Sequence, residues 1–517
     1  MSRRDAVLLA LLVGVGALLR APLLHEGLWR DEASTYYDAV TPTLRAALAL
    51  IARTDLTPPA YFLVERAWAH VAGTGEIALK LPSFAYGLAL IVTTYALGRA
   101  AATSSVGLVA ATFACVSQPA IALSAQARAY AFAGLLAALM LAAYARAVRE
   151  PRAARSLAWF GAFAVLLVYA HYMGCVLVAL LAIATPPLLW RRGEARRLPA
   201  FALAFALVAV AYAPWIPTML AHAHNGAPWA PSASFLDRFG NDFGNLLPFA
   251  SRHGQILIAF AAAALTWVVV ALVRRGRRVA GTPGPMLVLG ACTLGGALVG
   301  AALSLLEPRY VFVFAPAAWV WFAGLCVALV RWVARSRTSV RVVAGLVAAG
   351  LLALFVPSER AARAGALPSL SGIRVLAPGA AALARRGRTL FVLVPDYLGP
   401  TFGYYVSVPA GAVPHGFARW SDPQIFSPLG YREIWSDPGA LDRATKRIAA
   451  LMATQDDRLC LIRDTIIIDR GEMPYTRSDA LIGWIRRRYA LVSSVRAEGT
   501  EENVAMDVFS STPARRR

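Results

Sequence analysis

Apolar stretches of roughly 20 residues recur along this chain, with clusters of arginine between them. A bilayer's hydrocarbon core is about 30 Å thick, so a helix of about 20 apolar residues is the unit that spans it. Repeating that unit restricts the fold to an all-α polytopic membrane bundle, since lipid leaves no backbone group unpaired. Composition agrees: of 517 residues, 58% are hydrophobic and 15% charged, where a soluble protein carries about 25% charged. The formal charge of +22 does not call for nucleic acid. Arginine gathers in short loops, and the positive-inside rule accounts for it there. The first apolar run, Ala6 to Leu24, lacks a small-residue cleavage site and reads as a retained span rather than a signal peptide.

The loops sort by charge. Arg3/Arg4, Arg99, Arg146/Arg149/Arg152/Arg155, Arg191/Arg192/Arg196/Arg197, Arg274/Arg275/Arg277/Arg278 and Arg331/Arg335/Arg337/Arg341 total 19 arginines against three acids, Asp5, Glu150 and Glu194. These clusters mark the cytoplasmic side. Ala100 to Tyr144 and Ser156 to Trp190 are each flanked by such clusters, so each must cross out and back. Single crossings follow at about 198–219, 255–273, 285–306, 310–330 and 339–356. The count is about 11 spans, with the N-terminus cytoplasmic and the C-terminal region outside.

Two segments depart from the spanning pattern. The outer loop 24–80 contains TPPAYFLVERAWAHVAG, with Tyr61, Val64, Ala67/Trp68 and Val71 at helical spacing. Pro58 and Pro59 suit a helix start, and the stripe predicts an amphipathic helix in the membrane interface. Residues 357–517 form a second region of shorter apolar runs. TLFVLVP (389–395), RLCLIR (458–463), RYALVSS (488–494) and AMDVFS (505–510) read as strands. Leu441 to Met452 and Asp479 to Arg488 read as helices, which together predict a small α/β domain. Pro400 to Pro438 is turn-rich and expected to be irregular. The division is therefore 1–356, a transmembrane domain, and 357–517, an extracytoplasmic domain. The five cysteines show neither metal nor redox spacing.

This topology collects polar residues on the outer face. The first loop supplies Asp31, Glu32 and Asp55, and the hairpin at 118–130 supplies Gln126 and Arg128. The turn at 169–174 supplies His171 and Tyr172, the loop at 220–254 His222, His224 and His253, and the junction at 307–310 Arg309 and Tyr310. Taken alone, Asp31 and Glu32 fit the first turn of a helix, where acids complement the dipole. Arg128 and Arg309 stand among apolar residues, where a charge is costly unless paired or functional. Carboxylates and arginines at a membrane surface suit transfer of a sugar from a lipid phosphate. Arginine binds phosphate bidentately and stabilises its departure, while one carboxylate takes the acceptor's proton. One base without a covalent nucleophile means a single inverting displacement, in contrast to the paired carboxylates of glycosidases.

Five segments carry a resemblance: LWRDEAST, TPPAYFLVERAWAHVAGTGEIALKLPSFAYGLALIVTTYALGR, ALSAQARAYAF, VYAHYMG and EPRYVFVFAPA. In order and spacing they resemble the GT-C glycosyltransferases of the protein O-mannosyltransferase and aminoarabinose transferase type, over roughly residues 1 to 335. The resemblance implies a GT-C-like fold, a polyprenyl-phosphate sugar donor and an extracytoplasmic site. It makes Asp31 the base with Glu32 beside it. Relatives often carry an acid where Gln126 stands, and His or Asn where Thr57 stands. From these readings Arg128, Arg309 and Tyr310 are expected at the donor phosphate, and Asp55, Gln126, His171 and Tyr172 at the substrate. The acceptor is an envelope glycan, lipid or protein, and the setting is a bacterial-type plasma (inner) membrane with its lipids. No cofactor is required; a divalent metal is allowed, with His222, His224 and His253 as its candidate ligands. A transporter or flippase of lipid-linked sugars and a non-catalytic envelope-assembly scaffold are the rival readings.

Overall fold

The computed structural model describes residues 1–150, 154–225, 233–247, 284–305, 307–333, 369–407, 415–416, 437–454, 456–465 and 476–513. The amino-terminal helices are α1 (Arg3–Arg20), α2 (Arg30–Val40), α3 (Leu44–Thr54), α4 (Ala60–Ala72), α5 (Glu76–Ala101), α6 (Ser104–Val116), α7 (Gln118–Leu123) and α8 (Tyr130–Arg149). Among the described residues, seven helical segments are long and apolar enough to cross a membrane: Arg3–His25, Glu76–Ala101, Tyr130–Arg149, Tyr172–Arg191, Ala195–His224, Gly284–Ala302 and Pro308–Ala328. The shorter apolar helices Ser104–Val116 and Ala154–Val168 stand among them. These match nine of the expected spans; the other two, 255–273 and 339–356, fall outside the described residues. Both arginine-flanked intervals are helical hairpins, α6 to α8 and Ala154–Val168 to Tyr172–Arg191.

Side-chain size decides which helix sits at the centre. Alanine-rich α8 is buried along most of its length, against α5, the helix Ala154–Val168 and the turn Phe312–Phe314. Small residues let helix backbones approach closely where lipid offers no hydrophobic drive. Gly98 of α5 meets Gly107 of α6 so tightly that a Cβ on Gly98 would lie 2.6 Å from the Gly107 Cα. At 13 residues, α6 is about 20 Å long by helical rise and too short to span alone. Its end is capped from outside. The fully buried Arg20 donates to the carbonyls of Ala114 (3.0 Å), Cys115 (3.0 Å) and Gly16 (3.1 Å), and to Ser124 Oγ (3.2 Å). A cation at a helix C-terminus also complements the dipole.

The loop 24–80, expected on the outer side, folds as three helices, α2, α3 and α4. On α4 the face that packs inward differs from the expected stripe. Tyr61, Phe62, Glu65 and Ala69 are buried, whereas Val64 (39%) and Val71 (84%) are exposed, as is Ala67. The expected stripe is thus split, with Tyr61 turned inward and Val64 and Val71 outward, and the inward face carries a carboxylate.

The C-terminal region contains a five-stranded sheet in the order β2-β1-β3-β5-β4. Its strands are β1 (Thr389–Val394), β2 (His415–Gly416), β3 (Arg458–Asp464), β4 (Tyr489–Ala497) and β5 (Val504–Pro513). The strand β1 runs parallel to β2 and β3, while β5 pairs antiparallel with β3 and β4. Every residue of β1 is buried, as in a strand covered on both faces. Helices Gly372–Arg385, Ala440–Thr454 and Thr476–Arg488 accompany the sheet. The stretch expected to be irregular, 400–438, begins inside a helix, Gly399–Tyr405. Pro400 sits in its first turn, where a missing amide costs nothing; residues 417–436 are outside the described residues.

This region packs directly on the first outer loop. Leu370 N–H donates to Glu26 O (2.7 Å), Arg374 pairs with Glu76 (2.8 Å), and the Tyr405 hydroxyl accepts Leu28 N–H (2.6 Å). Gly27 lies at φ +77°, and a Cβ there would meet Arg374 and Tyr405, so both backbone and contact require glycine.

Candidate active site

The site is built on the first turn of α2. Trp29, extended at φ −116° and ψ 178°, precedes the helix, and Asp31 and Glu32 occupy its first turn. Placement in a helix start is therefore correct for both acids, but their environments differ sharply. The Asp31 side chain is 25% exposed and lies between Arg309 (Nη1 to Oδ2, 3.2 Å) and Arg30 (Nε to Oδ1, 3.4 Å). Burial alone would raise its pKa; the guanidiniums of Arg309, Arg30 and Arg128 overcome that and hold it below the usual carboxylate value. Asp31 is ionised at neutral pH.

Glu32 is fully buried. Its Oε1 accepts Ala127 N–H at 2.7 Å and lies 3.7 Å from Lys80 Nζ, while Oε2 accepts Trp29 N–H at 3.4 Å. Burial pushes its pKa up to about 7, with Lys80 opposing. Glu32 thus fastens α2 to α5 and to the loop after α7, and presents no free oxygen to a substrate.

Arg128 bridges three elements. Its Nη1 donates to Asp55 Oδ1 (2.7 Å), Asp31 O (3.1 Å) and Thr35 Oγ1 (3.4 Å), and its guanidinium lies 5.2 Å from the Phe62 ring centroid. Asp38 is buried beside Asp55 with both oxygens lacking a hydrogen-bond partner. Burial and the Asp55 charge hold its pKa well above the ordinary carboxylate value. Like charges in one site disfavour each other, so Asp38 is held in its protonated form. Asp31, Thr35 and Asp38 follow one another at helical spacing on the face of α2 turned toward Arg128. That i, i+4, i+7 pattern is legible in the sequence and adds Asp38 to the group.

Arg309 sits in the turn Pro308–Val311, over the rings of Trp29 (5.4 Å) and Tyr310 (5.3 Å), with Nε 2.6 Å from Glu307 Oε2. Trp29 also carries Arg30 at 5.3 Å, so one indole backs two guanidiniums that both face Asp31. The tryptophan is likewise an addition to the expected residues.

The remaining expected residues divide. His171 caps the helix Tyr172–Arg191 through Nδ1, which accepts Met173 N–H (3.2 Å), and stands edge-on to Tyr130 at 6.0 Å. Burial and then Arg128 press its pKa down to about 4, so the ring is neutral. Gln126 accepts Arg128 N–H through its backbone (2.8 Å), and its side-chain Oε1 is buried without a partner. Tyr172 is not joined to the Asp31 group: its hydroxyl bonds His222 Nδ1 (2.7 Å) and Trp215 Nε1 (3.2 Å). Of the three histidines expected as metal candidates, two lie among the described residues. His222 has its other nitrogen 2.8 Å from Ala52 O, so both ring nitrogens are engaged within the protein. Two residues along, His224 is exposed, and His253 lies outside the described residues. Among the described residues no three His, Cys, Asp or Glu side chains converge as a metal would need.

The helical bundle, with its described apolar segments long enough to cross a membrane, has the fold of several solved membrane proteins. By sequence, no family model and no curated protein matches the chain. Among solved structures it is similar to ArnT from Cupriavidus metallidurans in the apo state, at 14% identity and TM-score 0.58 over 96% of this chain and 97% of that one. It is similar also to ArnT bound to undecaprenyl phosphate, at 14% identity and TM-score 0.55 over 98% of each chain. A third is the archaeal oligosaccharyltransferase AglB from Archaeoglobus fulgidus, in complex with an inhibitory peptide and a dolichol-phosphate. There the identity is 12% and the TM-score 0.52, over 95% of this chain and 73% of that one.

Proposed function

We propose that this protein is a membrane glycosyltransferase that moves a sugar from a polyprenyl-phosphate to a hydroxyl acceptor on the outer face of a bacterial-type plasma membrane. The observation that carries the reading is Asp31, an ionised and partly exposed carboxylate between Arg309 and Arg30 on the first loop of a GT-C fold. The donor classes named with similar structures, undecaprenyl phosphate and dolichol-phosphate, support it.

Arg309 is the principal contact for the donor phosphate, with Tyr310 at its side and Arg128 behind. The planar guanidinium stabilises charge on the phosphate oxygens as the sugar-oxygen bond breaks. Asp31 takes the proton of the acceptor hydroxyl as that oxygen attacks the anomeric carbon from the opposite face. A phosphate that draws Arg309 toward itself removes part of the cation field on Asp31. The carboxylate then becomes more basic when donor is present. Asp55 sets Arg128, while Gln126 and His171 line the approach. The described residues do not fit a metal ion, and no step is routed through one. A transporter reading is not favoured, since it predicts repeated halves and broken helices at mid-membrane.

The test is transfer by purified full-length protein from undecaprenyl-phosphate-linked hexoses and pentoses, read by product mass. Asp31→Asn should lower the single-turnover rate by roughly 10²-fold or more, the scale of a general base, while undecaprenyl phosphate still binds. Full turnover by Asp31→Asn would remove Asp31 from the chemistry. Loss of lipid binding with Arg309→Ala, but not with the exposed-site variant Arg45→Ala, supports the phosphate contact.

A further inference from the structure

The C-terminal region reaches the catalytic turn itself. The tip of the β4–β5 hairpin places Glu502 against the start of α2, where its Oε1 accepts the backbone N–H of Arg30 at 3.0 Å and the Thr401 hydroxyl at 3.2 Å. That amide belongs to the first residue of α2, so it is one of the donors a helix leaves unpaired at its start. Glu502 is 1% exposed, and its backbone is held in turn: Gly372 N–H donates to Glu502 O (2.9 Å) and Glu502 N–H to Leu370 O (3.1 Å). From the same region, the Tyr397 ring lies 4.4 Å from the Arg30 guanidinium, with its hydroxyl on Asp464 (2.7 Å). Arg30 is thereby gripped at its amide and at its side chain, and its Nε is the second cation on Asp31.

We propose that Glu502 and Tyr397 are positioning residues for Asp31, acting through Arg30, so that the C-terminal region is a structural part of the active site. The inference rests on the reading of Asp31 as the base. The cation-π contact holds the Arg30 side chain, and the Glu502 carboxyl oxygen holds the first amide of α2. Without them the first turn of α2 frays and Arg30 swings off Asp31. A displacement of about 1 Å in a catalytic group costs on the order of 10²-fold in rate.

The experiment uses the full chain in detergent, with Glu502→Ala, Glu502→Gln, Tyr397→Ala and Tyr397→Phe. Two readouts are taken: hydrogen exchange of the 29–36 segment, and transfer kinetics with the undecaprenyl-phosphate sugar accepted by wild type. Glu502→Ala and Tyr397→Ala should speed exchange of the segment about tenfold and lower kcat at least as much, with KM for the donor nearly unchanged. Glu502→Gln keeps an acceptor oxygen and Tyr397→Phe keeps the ring, so both should recover most of the rate. Unchanged exchange and kcat in the alanine variants overturn the proposal. Equal losses in the alanine and conservative variants, together with a lowered melting temperature, overturn it too, because they mark a merely structural contact. If wild type transfers no sugar, the glycosyltransferase reading fails. The exchange measurement then still decides whether Glu502 and Tyr397 hold the turn.

Discussion

Asp31 and Glu32 are adjacent in sequence and opposite in circumstance, because successive helical positions point about 100° apart. One faces two guanidiniums at the surface of the site; the other is sealed against Lys80. Glu32→Gln should therefore act on stability rather than chemistry. Removing one partner of a buried pair leaves the other charge uncompensated, at a cost of about 3–5 kcal/mol. The double variant Glu32→Gln/Lys80→Met should recover much of the loss, and thermal unfolding in detergent measures both. Asp31, held below the usual carboxylate range by Arg309 and Arg30, should stay ionised well into acid. The acid limb of kcat/KM should then fall below the ordinary aspartate value, and a limb near pH 6 would count against Asp31 as the group observed. Glu65 behaves in the opposite sense. Burial raises its pKa to about 8, with the neighbouring Tyr61 hydroxyl opposing. Between the unfolded value of about 4.3 and 8, the folded state binds the extra proton, so this group's contribution is lost as pH rises. Melting curves should show Glu65→Gln gaining on wild type from pH 5 to pH 8; a constant difference would mean Glu65 does not titrate there.

At the scale of elements, the short α6 depends on a residue from another helix. Arg20 supplies donors to two carbonyls at the end of α6, to one of its own helix and to Ser124. Arg20→Met keeps the apolar stem and removes every donor, stranding buried carbonyls at about 1–3 kcal/mol each. A drop of several degrees in melting temperature is expected, larger than for Arg45→Met on the exposed side of α3. An unchanged melting temperature would show that α6 ends without help. The α4 stripe teaches the same lesson from the other side. Helical spacing identified Tyr61, Val64, Ala67 and Val71 as one set, but spacing does not say whether lipid or protein receives it. The neighbours decided: α2 and α5 took the face with Tyr61, Phe62 and Glu65.

For the whole molecule, the arginine-rich loops at 191–197 and before 284 predict a single cytoplasmic side. A reporter active only in the cytoplasm, fused after Pro357, should stay silent, and one fused after Arg192 should be active. A signal from the Pro357 fusion would put the C-terminal region on the other side from the sequence expectation. Because that region packs on the first loop, the same signal would put Asp31 on the cytoplasmic side with it.

Hydropathy and charge alone determined the membrane class and the positions of the seven described helical segments long enough to cross and of two shorter apolar helices, because lipid constrains the length and composition of a crossing. Alternating and continuous apolar runs likewise located β1, β3, β4 and β5, and the helices Ala440–Thr454 and Thr476–Arg488. The LWRDEAST motif marked Asp31 through its resemblance to other chains, and Arg309 and Arg128 stood out because a charge beside apolar sequence is expensive. Only the tertiary structure decided what those charges do. It joined Asp31 to Arg309 across 278 positions, Arg128 to Asp55 across 73, and Arg30 to Glu502 across 472. It also turned Glu32, Arg20 and His222 into internal fastenings. Burial and pairing are properties of distance in space, and a chain folded through a membrane makes neighbours of residues that share no local pattern.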